Sequence, residues 1–438
     1  MSAAPERVRR VLGWALALPL ASVASAQTST PAITQFQIVR KELHDSHTRK
    51  DWRANLNYAR IQRDLLNGSP SSRLEVARAE LLLGSTAAGI AELTRYALMG
   101  QSVDPALLAP DWKALSQEHA VVRLQYTMEE NRKAIGRGTA VFVLSDPRLL
   151  PEDVDYDSQT QLFYISSVRE KKIIAVDARG KIQEFVQAPD DWPVLALKLD
   201  VKRGRLWATE VALQGYEFAP AADWGRSALL CFDLKHHTLL TRIEAPRASA
   251  LGDMVLTRSG DVIVSDGDGG AIYRLAVNGT RLERLDRGDF ISPQTAALGP
   301  DDRHLFVPDY LRGIALLDLE SREVQWIPMA GRFALNGIDG LYFSQGTLIA
   351  VQNGTSPERI VAFRLRQSNR EVAAEEVIER GTTTLGDPTH GVIVGDSFYY
   401  IANSGWDAID ERGSLREGAQ LSSARLMRVE LSQLFSDT

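Results

Sequence analysis

The chain has 438 residues and a single cysteine, Cys231. One cysteine cannot form a disulfide within the chain, so the folded state must be held by a hydrophobic core or by a bound metal. Cys231 lies inside the apolar run ALLCFDL. That setting favours a small buried strand residue over a reactive thiol.

The chain also lacks an excess of positive charge, with 50 lysine and arginine residues against 56 aspartate and glutamate residues. The formal net charge is therefore −6 at pH 7. Proteins that bind nucleic acid use basic patches to neutralise phosphates. A mildly acidic chain therefore argues against a nucleic-acid partner.

Motifs of the common covalent and zinc-dependent catalysts are missing as well. The chain contains no G-x-S-x-G, no H-E-x-x-H, no phosphate-binding P-loop and no usable pairing of its cysteine with a histidine. If the protein is an enzyme, a bound metal ion of another kind must supply most of the chemical activation.

The first 26 residues have the pattern of a secretory signal peptide. A basic stretch at residues 7–10 precedes an apolar run at residues 11–23, and the small residues 24–26 form an A-x-A cleavage site. The apolar run is too short to span a membrane as a helix. We predict an exported protein, periplasmic or secreted, with no membrane span; twin-arginine export is the less favoured route.

Residues 31–137 have the composition and spacing of α-helices, with helices predicted over 51–66, 72–83 and 87–99. The stretch SRLEVARAELLLGSTAAGIAELTRYALMG, residues 72–100, resembles a tetratricopeptide unit. At most two such units fit, and three are usually needed for a stable solenoid. We therefore expect these helices to pack against the rest of the chain for stability. They form either a groove for a protein partner or a helical cap, and we favour the cap.

One stretch recurs through the rest of the chain. Residues 335–354, LNGIDGLYFSQGTLIAVQNG, have the pattern of a hairpin of two short strands with polar residues at both ends. Similar stretches recur at spacings of 42–57 residues and begin near residues 152, 195, 252, 294 and 389. Six units of this length are typical of a β-propeller, in which each blade buries its faces against its neighbours.

We therefore predict a mainly β fold, a six-bladed β-propeller over residues 139–434 preceded by the small α-helical segment. The strand Ala140–Leu144 has no unit of its own and is the candidate to complete the last blade and close the ring. The longest insertion, Val211–Arg226, either overhangs the channel mouth and shapes a pocket or decorates the rim.

Equivalent positions of the six units should meet on the propeller axis, because the first strand of every blade lines the central channel. The column at the strand start is mostly polar and reads Asp153, Ala196, Asp253, Thr295, Asp339 and His390. Glu152 and Gln294 stand just before it. Converging carboxylates repel one another unless a cation neutralises them, so we predict a divalent cation, Ca²⁺ first, with Mg²⁺ and Mn²⁺ as alternatives.

A second polar column ends the second strand of each unit and reads Ser167, Glu210, Asp266, Asp309, Asn353 and Asn403. These residues are either cation ligands or caps that accept hydrogen bonds from turn N–H groups. We favour ligands for the strand-start residues Glu152, Asp253 and Asp339. The run DGDGG at residues 266–270 hints at a calcium loop, but a tight turn is favoured because no bidentate glutamate follows.

Three motifs resemble the senescence-marker-protein/gluconolactonase family of six-bladed propellers and, more distantly, the paraoxonases. They are LPEDV at residues 150–154, SPQ at 292–294 with VPDY at 307–310, and LNGIDGL at 335–341. The resemblance covers roughly residues 141–430. It implies a divalent cation, usually Ca²⁺, held at the channel mouth by a glutamate of the first blade and by asparagine or aspartate residues of later blades.

Carried over by motif, the family's ligands fall on Glu152 and Asp339, with Asp266 and Gln294 as further oxygen ligands. Two departures stand out. Gln294-Thr295 replaces the family's Asn-Gly, and Leu195-Ala196 stands where paraoxonases carry an imidazole.

The predicted activity is a metal-dependent opening of a lactone or ester, in which the cation polarises the carbonyl and Asp339, Asp266 or His390 takes a proton from the attacking water. His390 is alternatively a further ligand or a hydrogen-bonded channel residue.

The competing hypothesis is a non-enzymatic propeller that binds a ligand or a protein partner. Trp406 either walls the pocket or packs in the core, and we favour the core.

Overall fold

The computed structural model describes residues 30–104, 118–246 and 248–436. The predicted signal peptide, residues 1–26, lies outside these ranges. Among the described helices, none is both long enough and apolar enough to cross a membrane.

Five helices occupy the described part of the N-terminal segment: α1 (Ala32–Thr48), α2 (Trp52–Leu65), α3 (Pro70–Leu82), α4 (Thr86–Leu98) and α5 (His119–Arg132). Local sequence sets their ends. Asp51 caps α2 by accepting a hydrogen bond from the Ala54 N–H. Asn67 and Gly68 then adopt left-handed conformations, with φ of 53° and 69°, which stop α2 and turn the chain into α3.

Six antiparallel sheets follow, and each is one blade. Blade 1 contains β3 (Pro151–Asp157), β4 (Leu162–Ser167), β5 (Lys172–Val176) and β6 (Ile182–Gln187). Blade 2 contains β7 (Val194–Asp200), β8 (Arg205–Ala212), β9 (Arg226–Asp233) and β10 (Leu239–Glu244). Blade 3 contains β11 (Leu251–Leu256), β12 (Val262–Asp266), β13 (Ala271–Leu275) and β14 (Glu283–Arg284).

Blade 4 contains β15 (Ala297–Leu298), β16 (His304–Asp309), β17 (Gly313–Asp318) and β18 (Val324–Trp326). Blade 5 contains β19 (Gly340–Ser344), β20 (Thr347–Gln352), β21 (Arg359–Leu365) and β22 (Val372–Arg380), with β1 (Ile135–Gly136) on its outer edge. Blade 6 contains β23 (Gly391–Val394), β24 (Ser397–Ile401), β25 (Arg425–Glu430) and β2 (Thr139–Val143). The predicted six-bladed propeller with N-terminal helices is confirmed.

The ring is closed by β2, which precedes blade 1 in the chain but pairs with β25 of blade 6. Joining the two ends of the propeller into one sheet leaves no open edge between the first and last blades. Phe142 of β2 is buried in the cluster between blades 6 and 1, where its ring meets Phe163 edge-on at 5.7 Å. The prediction that this strand completes the last blade is confirmed.

The helices pack on one end of the propeller, which we call the mouth face. It is the end at which the second strand of each blade turns into the third. Asn67 donates a side-chain hydrogen bond to the Arg312 carbonyl in the blade 4 turn, and Ser102 N–H donates to the Ser356 carbonyl in the blade 5 turn. Met99 is buried in the core of blades 4 and 5. The helices therefore cap part of the mouth face.

Cys231 lies in β9 with 2% of its surface exposed. Burial raises the pKa of its thiol to about 11. This agrees with the predicted small buried strand residue, because a reactive cysteine needs an accessible thiolate.

We expect Phe142→Ala to lower the free energy of unfolding by about 3–5 kcal/mol, because it leaves a cavity in the closing cluster. Val143→Ala is the matched control. Val143 is the next residue of the same strand but is 47% exposed, so its loss should cost no more than about 0.5 kcal/mol. Urea unfolding of both variants measures the difference, and equal effects would contradict the closing role.

Candidate functional site

A cavity of about 220 Å³ opens on the mouth face at the propeller axis. Every blade contributes to it. Its lining consists of Glu152, Leu195, Leu213, Gln214, Tyr216, Ala250, Gly252, Gly267, Asp268, Ser292, Gln294, Tyr310, Asp339, Asn353 and Trp406. Sequence-distant residues meet here because each first strand begins, and each second strand ends, at this face.

Three residues from the strand starts converge at the cavity. Glu152 lies in β3, Asp339 directly precedes β19, and His390 directly precedes β23. Each offers a possible ligand atom, and these atoms all lie within 4.8 Å of one another. All three were predicted site residues, and the structure brings them together. We call them the axial cluster.

Glu152 is held by Trp406, whose indole Nε1–H donates to Glu152 Oε2 at 2.5 Å. Burial, and then the charge of Asp339, raise the pKa of Glu152 to about 8, although His390 and the indole oppose the shift. An ionised Glu152 is therefore costly here unless another positive charge is present.

Asp339 is oriented by a chain of side chains. The amide of Asn353 donates to Asp339 Oδ2 at 2.7 Å and to the Pro388 carbonyl at 3.0 Å. The Tyr310 hydroxyl in turn donates to Asn353 Oδ1 at 3.0 Å. The other side of Tyr310 packs in a buried cluster with Phe36 of α1. The helical segment thus supports the residues that orient Asp339.

Two glycines make room for this chain. Gly337 has a φ of 64°, a left-handed conformation that residues with a side chain rarely adopt. Gly354 lies against it, and a Cβ on Gly354 would fall 2.5 Å from the ring of Tyr310. The recurring motif therefore carries glycine at both of its ends here because the backbone and the Tyr310 ring approach so closely.

His390 is 2% exposed and has contacts at both ring nitrogens. Nδ1 lies 2.8 Å from the Glu152 carbonyl oxygen, which can only accept, so Nδ1 carries a proton. Nε2 lies 2.8 Å from Asp253 Oδ1, without the alignment of a hydrogen bond. Burial alone would lower the pKa of His390, but the carboxylates of Asp253 and Asp339 overcome it and raise the pKa well above its ordinary value. A base role would require His390 to lose a proton that Asp253 helps to retain.

Asp153, the first residue of the predicted column, is paired elsewhere in the channel. Its Oδ2 accepts a hydrogen bond from Lys198 Nζ at 2.8 Å. Burial would lower the pKa of Lys198, but Asp153 and Asp155 raise it. Lys198 is therefore paired with Asp153. The positive charge near the axial cluster is that of His390.

The other predicted ligands, Asp253, Asp266 and Gln294, are not members of the axial cluster. Asp253 faces His390. Asp266 Oδ1 accepts from the N–H groups of Ala250 and Gly269, which is the turn interpretation of the DGDGG run. The amide of Gln294 lines the cavity and donates to the hydroxyl of Ser292 at 3.1 Å.

Other members of the second column also bond to turns. Asp309 accepts from four backbone N–H groups of blade 4, Asn403 Oδ1 accepts from Arg425 N–H, and the Ser167 hydroxyl accepts from Glu170 N–H at 3.1 Å. Asn353 differs, because its amide contacts Asp339. The capping interpretation describes most of this column.

Two cavity residues were not predicted as site residues. Trp406, for which we favoured core packing over a wall of the pocket, lines the cavity and contacts Glu152. It belongs to a loop of blade 6 that has no counterpart in the other units, so periodicity carried no signal for it. Tyr310 follows Asp309 in the VPDY motif, and its position after a second strand was the available signal.

No known family profile and no curated protein sequence matches this chain. Solved structures resemble it in fold. A gluconolactonase from Xanthomonas campestris is 12% identical with a TM-score of 0.45, and the match covers 67% of this chain and 90% of that one. A calcium-binding protein, regucalcin, from Agrobacterium tumefaciens is 13% identical with a TM-score of 0.47, over 67% and 95% of the two chains.

A virginiamycin B lyase from Staphylococcus aureus is 15% identical with a TM-score of 0.42, over 67% of this chain and 98% of that one. The likeness concerns the fold alone. Because a propeller hosts unrelated activities, function has to be argued from the cavity and the axial cluster.

We expect His390 to remain protonated at neutral pH in the metal-free protein, because the charges of Asp253 and Asp339 raise its pKa. Asp253→Asn should lower that pKa. Proton NMR of the ring, with the signal assigned by its loss in His390→Gln, measures both values. Since the folded pKa is raised, His390 stabilises the fold fully below its unfolded pKa of about 6.5, and this stabilisation is lost as pH rises through the folded pKa.

Asp318→Asn, remote from the cavity, is a control that should leave the His390 titration unchanged. Titration of His390 near 6.5 in the unmodified protein, unaffected by Asp253→Asn, would contradict the charged state.

Proposed function

We propose that this protein is a divalent-cation-dependent hydrolase that opens a lactone or an ester in the mouth cavity. The observation that carries this proposal is the axial cluster, in which possible ligand atoms of Glu152, Asp339 and His390 lie within 4.8 Å of one another. A propeller that used its channel only as a scaffold would have no reason to bring half-buried carboxylates together.

The residues present fit a cation. Three carboxylates, those of Glu152, Asp339 and Asp253, lie around the one imidazolium of His390. Burial and Asp339 disfavour the ionised form of Glu152 in the metal-free state, and a nearby cation would reverse that effect. The donor set is dominated by oxygen, which favours Ca²⁺ over softer metals.

We assign Glu152 and Asp339 as the residues that would hold the cation, with the Gln294 amide as a further oxygen donor from the same cavity. Both His390 nitrogens already have contacts, so we assign His390 to charge balance and to positioning of the Glu152 backbone. Asp253 acts through His390. Asp266 is the least suited of the predicted ligands because one of its oxygens is bonded to two turn N–H groups.

A bound divalent cation supplies polarisation of a carbonyl and stabilisation of the oxyanion. The chain's own residues supply the rest. The Asp339 carboxylate accepts the proton of the attacking water as the new carbon–oxygen bond forms, and returns it to the leaving alkoxide as the ring or ester bond breaks. Asn353 holds Asp339 in the required orientation, and Trp406 does the same for Glu152.

We further propose that the chain is exported to the periplasm or secreted, on the basis of the leader pattern in residues 1–26. A protein partner for the helical segment stays a prediction. The contacts of that segment with the mouth face support its role as a cap.

The first test is calcium binding by calorimetry to the metal-free protein lacking residues 1–26. We expect Glu152→Gln and Asp339→Asn each to weaken binding by at least 100-fold, because each removes a charged oxygen donor. Asp268→Asn is the matched control: it removes an exposed carboxylate of the same cavity and should change affinity only a few-fold. Trp406→Phe, which removes the donor to Glu152, should weaken binding about 10–100-fold.

Hydrolysis is then followed with a panel of lactones and aryl esters, before and after chelation of the cation. Turnover that chelation abolishes and calcium restores would support the proposal. Calcium binding with no turnover of any member of the panel would leave the non-enzymatic binding propeller. Absence of calcium binding in a folded protein would refute the proposal.

A further inference from the structure

The cavity has two chemically different sides. Its polar side carries Asp268, Ser292 and Gln294 from blades 3 and 4, next to Asp339 and Asn353. Its apolar side carries the side chains of Leu195, Leu213, Tyr216 and Trp406. We call these last four residues the apolar wall.

The apolar wall is built by two loops. The loop between β8 and β9, predicted as an insertion at the mouth, supplies Leu213 and Tyr216. The loop between β24 and β25 supplies Trp406. The rings of Tyr216 and Phe218 stack with centroids 5.8 Å apart and an interplanar angle of 14°. Trp406 meets both edge-on, at 6.1 and 6.3 Å.

Several contacts fix the two loops to each other. The Glu217 N–H donates to the Arg412 carbonyl at 2.7 Å. Phe218 lies over Gly413, where a Cβ would come within 3.2 Å of its ring. Within the loop between β8 and β9, the Trp224 indole donates to the Tyr216 and Ala219 carbonyls. The apolar wall is therefore a pre-formed surface, which is the condition for selective binding of an apolar group.

The charges of the cavity point to a neutral ligand. No lysine or arginine is among the described residues that line it, whereas Glu152, Asp268 and Asp339 are. Desolvation, and then the charge of Asp266, raise the pKa of Asp268 to about 6. A cation held by Glu152 and Asp339 would offset their two charges and leave the negative charge of Asp268, which repels an anionic substrate. A polyhydroxylated one would leave hydroxyl groups unpaired against the apolar wall.

We propose that the cavity binds a neutral lactone or ester with a small apolar substituent, which lies on the apolar wall while the reacting carbonyl faces Glu152 and Asp339. This inference rests on the proposed hydrolase function. Trp406 connects the two parts, because it contacts Glu152 with its Nε1 and the aromatic rings of the apolar wall with its ring. Leu213 and Tyr216 determine specificity without taking part in the reaction.

The test compares three substrates: γ-butyrolactone, its γ-butyl derivative and glucono-δ-lactone. We expect kcat/KM to be at least tenfold higher for the butyl derivative than for the unsubstituted ring, since one or more methylenes in an apolar pocket provide about 10–200-fold discrimination. Tyr216→Ala should remove most of this ratio. Tyr216→Phe, which keeps the ring, is the matched control and should keep the ratio.

Leu213→Ser provides a second variant in case Tyr216→Ala does not fold, and it should reduce the same ratio. Binding without turnover is measured by calorimetry with the corresponding γ-lactams, which share the ring and the substituent but resist hydrolysis. We expect the butyl lactam to bind at least tenfold more tightly than the unsubstituted lactam.

The outcomes separate the two proposals. Preference for glucono-δ-lactone, or equal kcat/KM for the two γ-lactones, would overturn this inference while the hydrolase function stands. Tight binding of the butyl lactam that depends on Tyr216, with no lactone hydrolysed, would overturn the hydrolase function but support the apolar wall as a binding site. Absence of both binding and hydrolysis would overturn both.

Discussion

The repulsion between buried and half-buried carboxylates on the propeller axis is the constraint on which the mouth of this protein depends. Ring geometry forces equivalent strand-start residues of the six blades toward one line, and several of them here are acidic. Two positively charged side chains in the channel offset part of this repulsion. Lys198 pairs with Asp153, and the His390 imidazole faces Asp253. Glu152 and Asp339 then share the cavity floor, where a cation would relieve their repulsion.

The helices are part of the same arrangement, although they lie outside the propeller. They pack on the mouth face, and Tyr310 connects their buried cluster to the cavity. The hydroxyl of Tyr310 contacts Asn353, which contacts Asp339. The helical segment thus supports the residues of the candidate site. A helical layer therefore supports one side of the mouth in addition to the loops between the strands.

Much of the fold and the centre of the site could be predicted because repetition converts sequence position into spatial position. Once six units were recognised, Glu152, Asp339 and His390 had to converge, since each begins the first strand of a blade. The second column could not be sorted in the same way. Asp266 and Asn353 occupy equivalent positions, yet Asp266 accepts from the N–H of Gly269 in its own turn whereas Asn353 contacts Asp339. Their different roles depend on the turns that follow them, which no repeat pattern encodes.

The apolar wall was predicted only as an alternative, in which the Val211–Arg226 insertion shapes a pocket and Trp406 walls it. Tyr216 and Trp406 belong to loops that occur in one blade each, so the repeat pattern gave no position for them. The central proposal is that a cation binds at the axial cluster. Anomalous diffraction from crystals soaked in Tb³⁺, which substitutes for Ca²⁺, tests it most directly. The account predicts a peak within about 2.3–2.6 Å of carboxylate oxygens of both Glu152 and Asp339. A peak at the turn of Asp266 instead, or none on the axis, would contradict it.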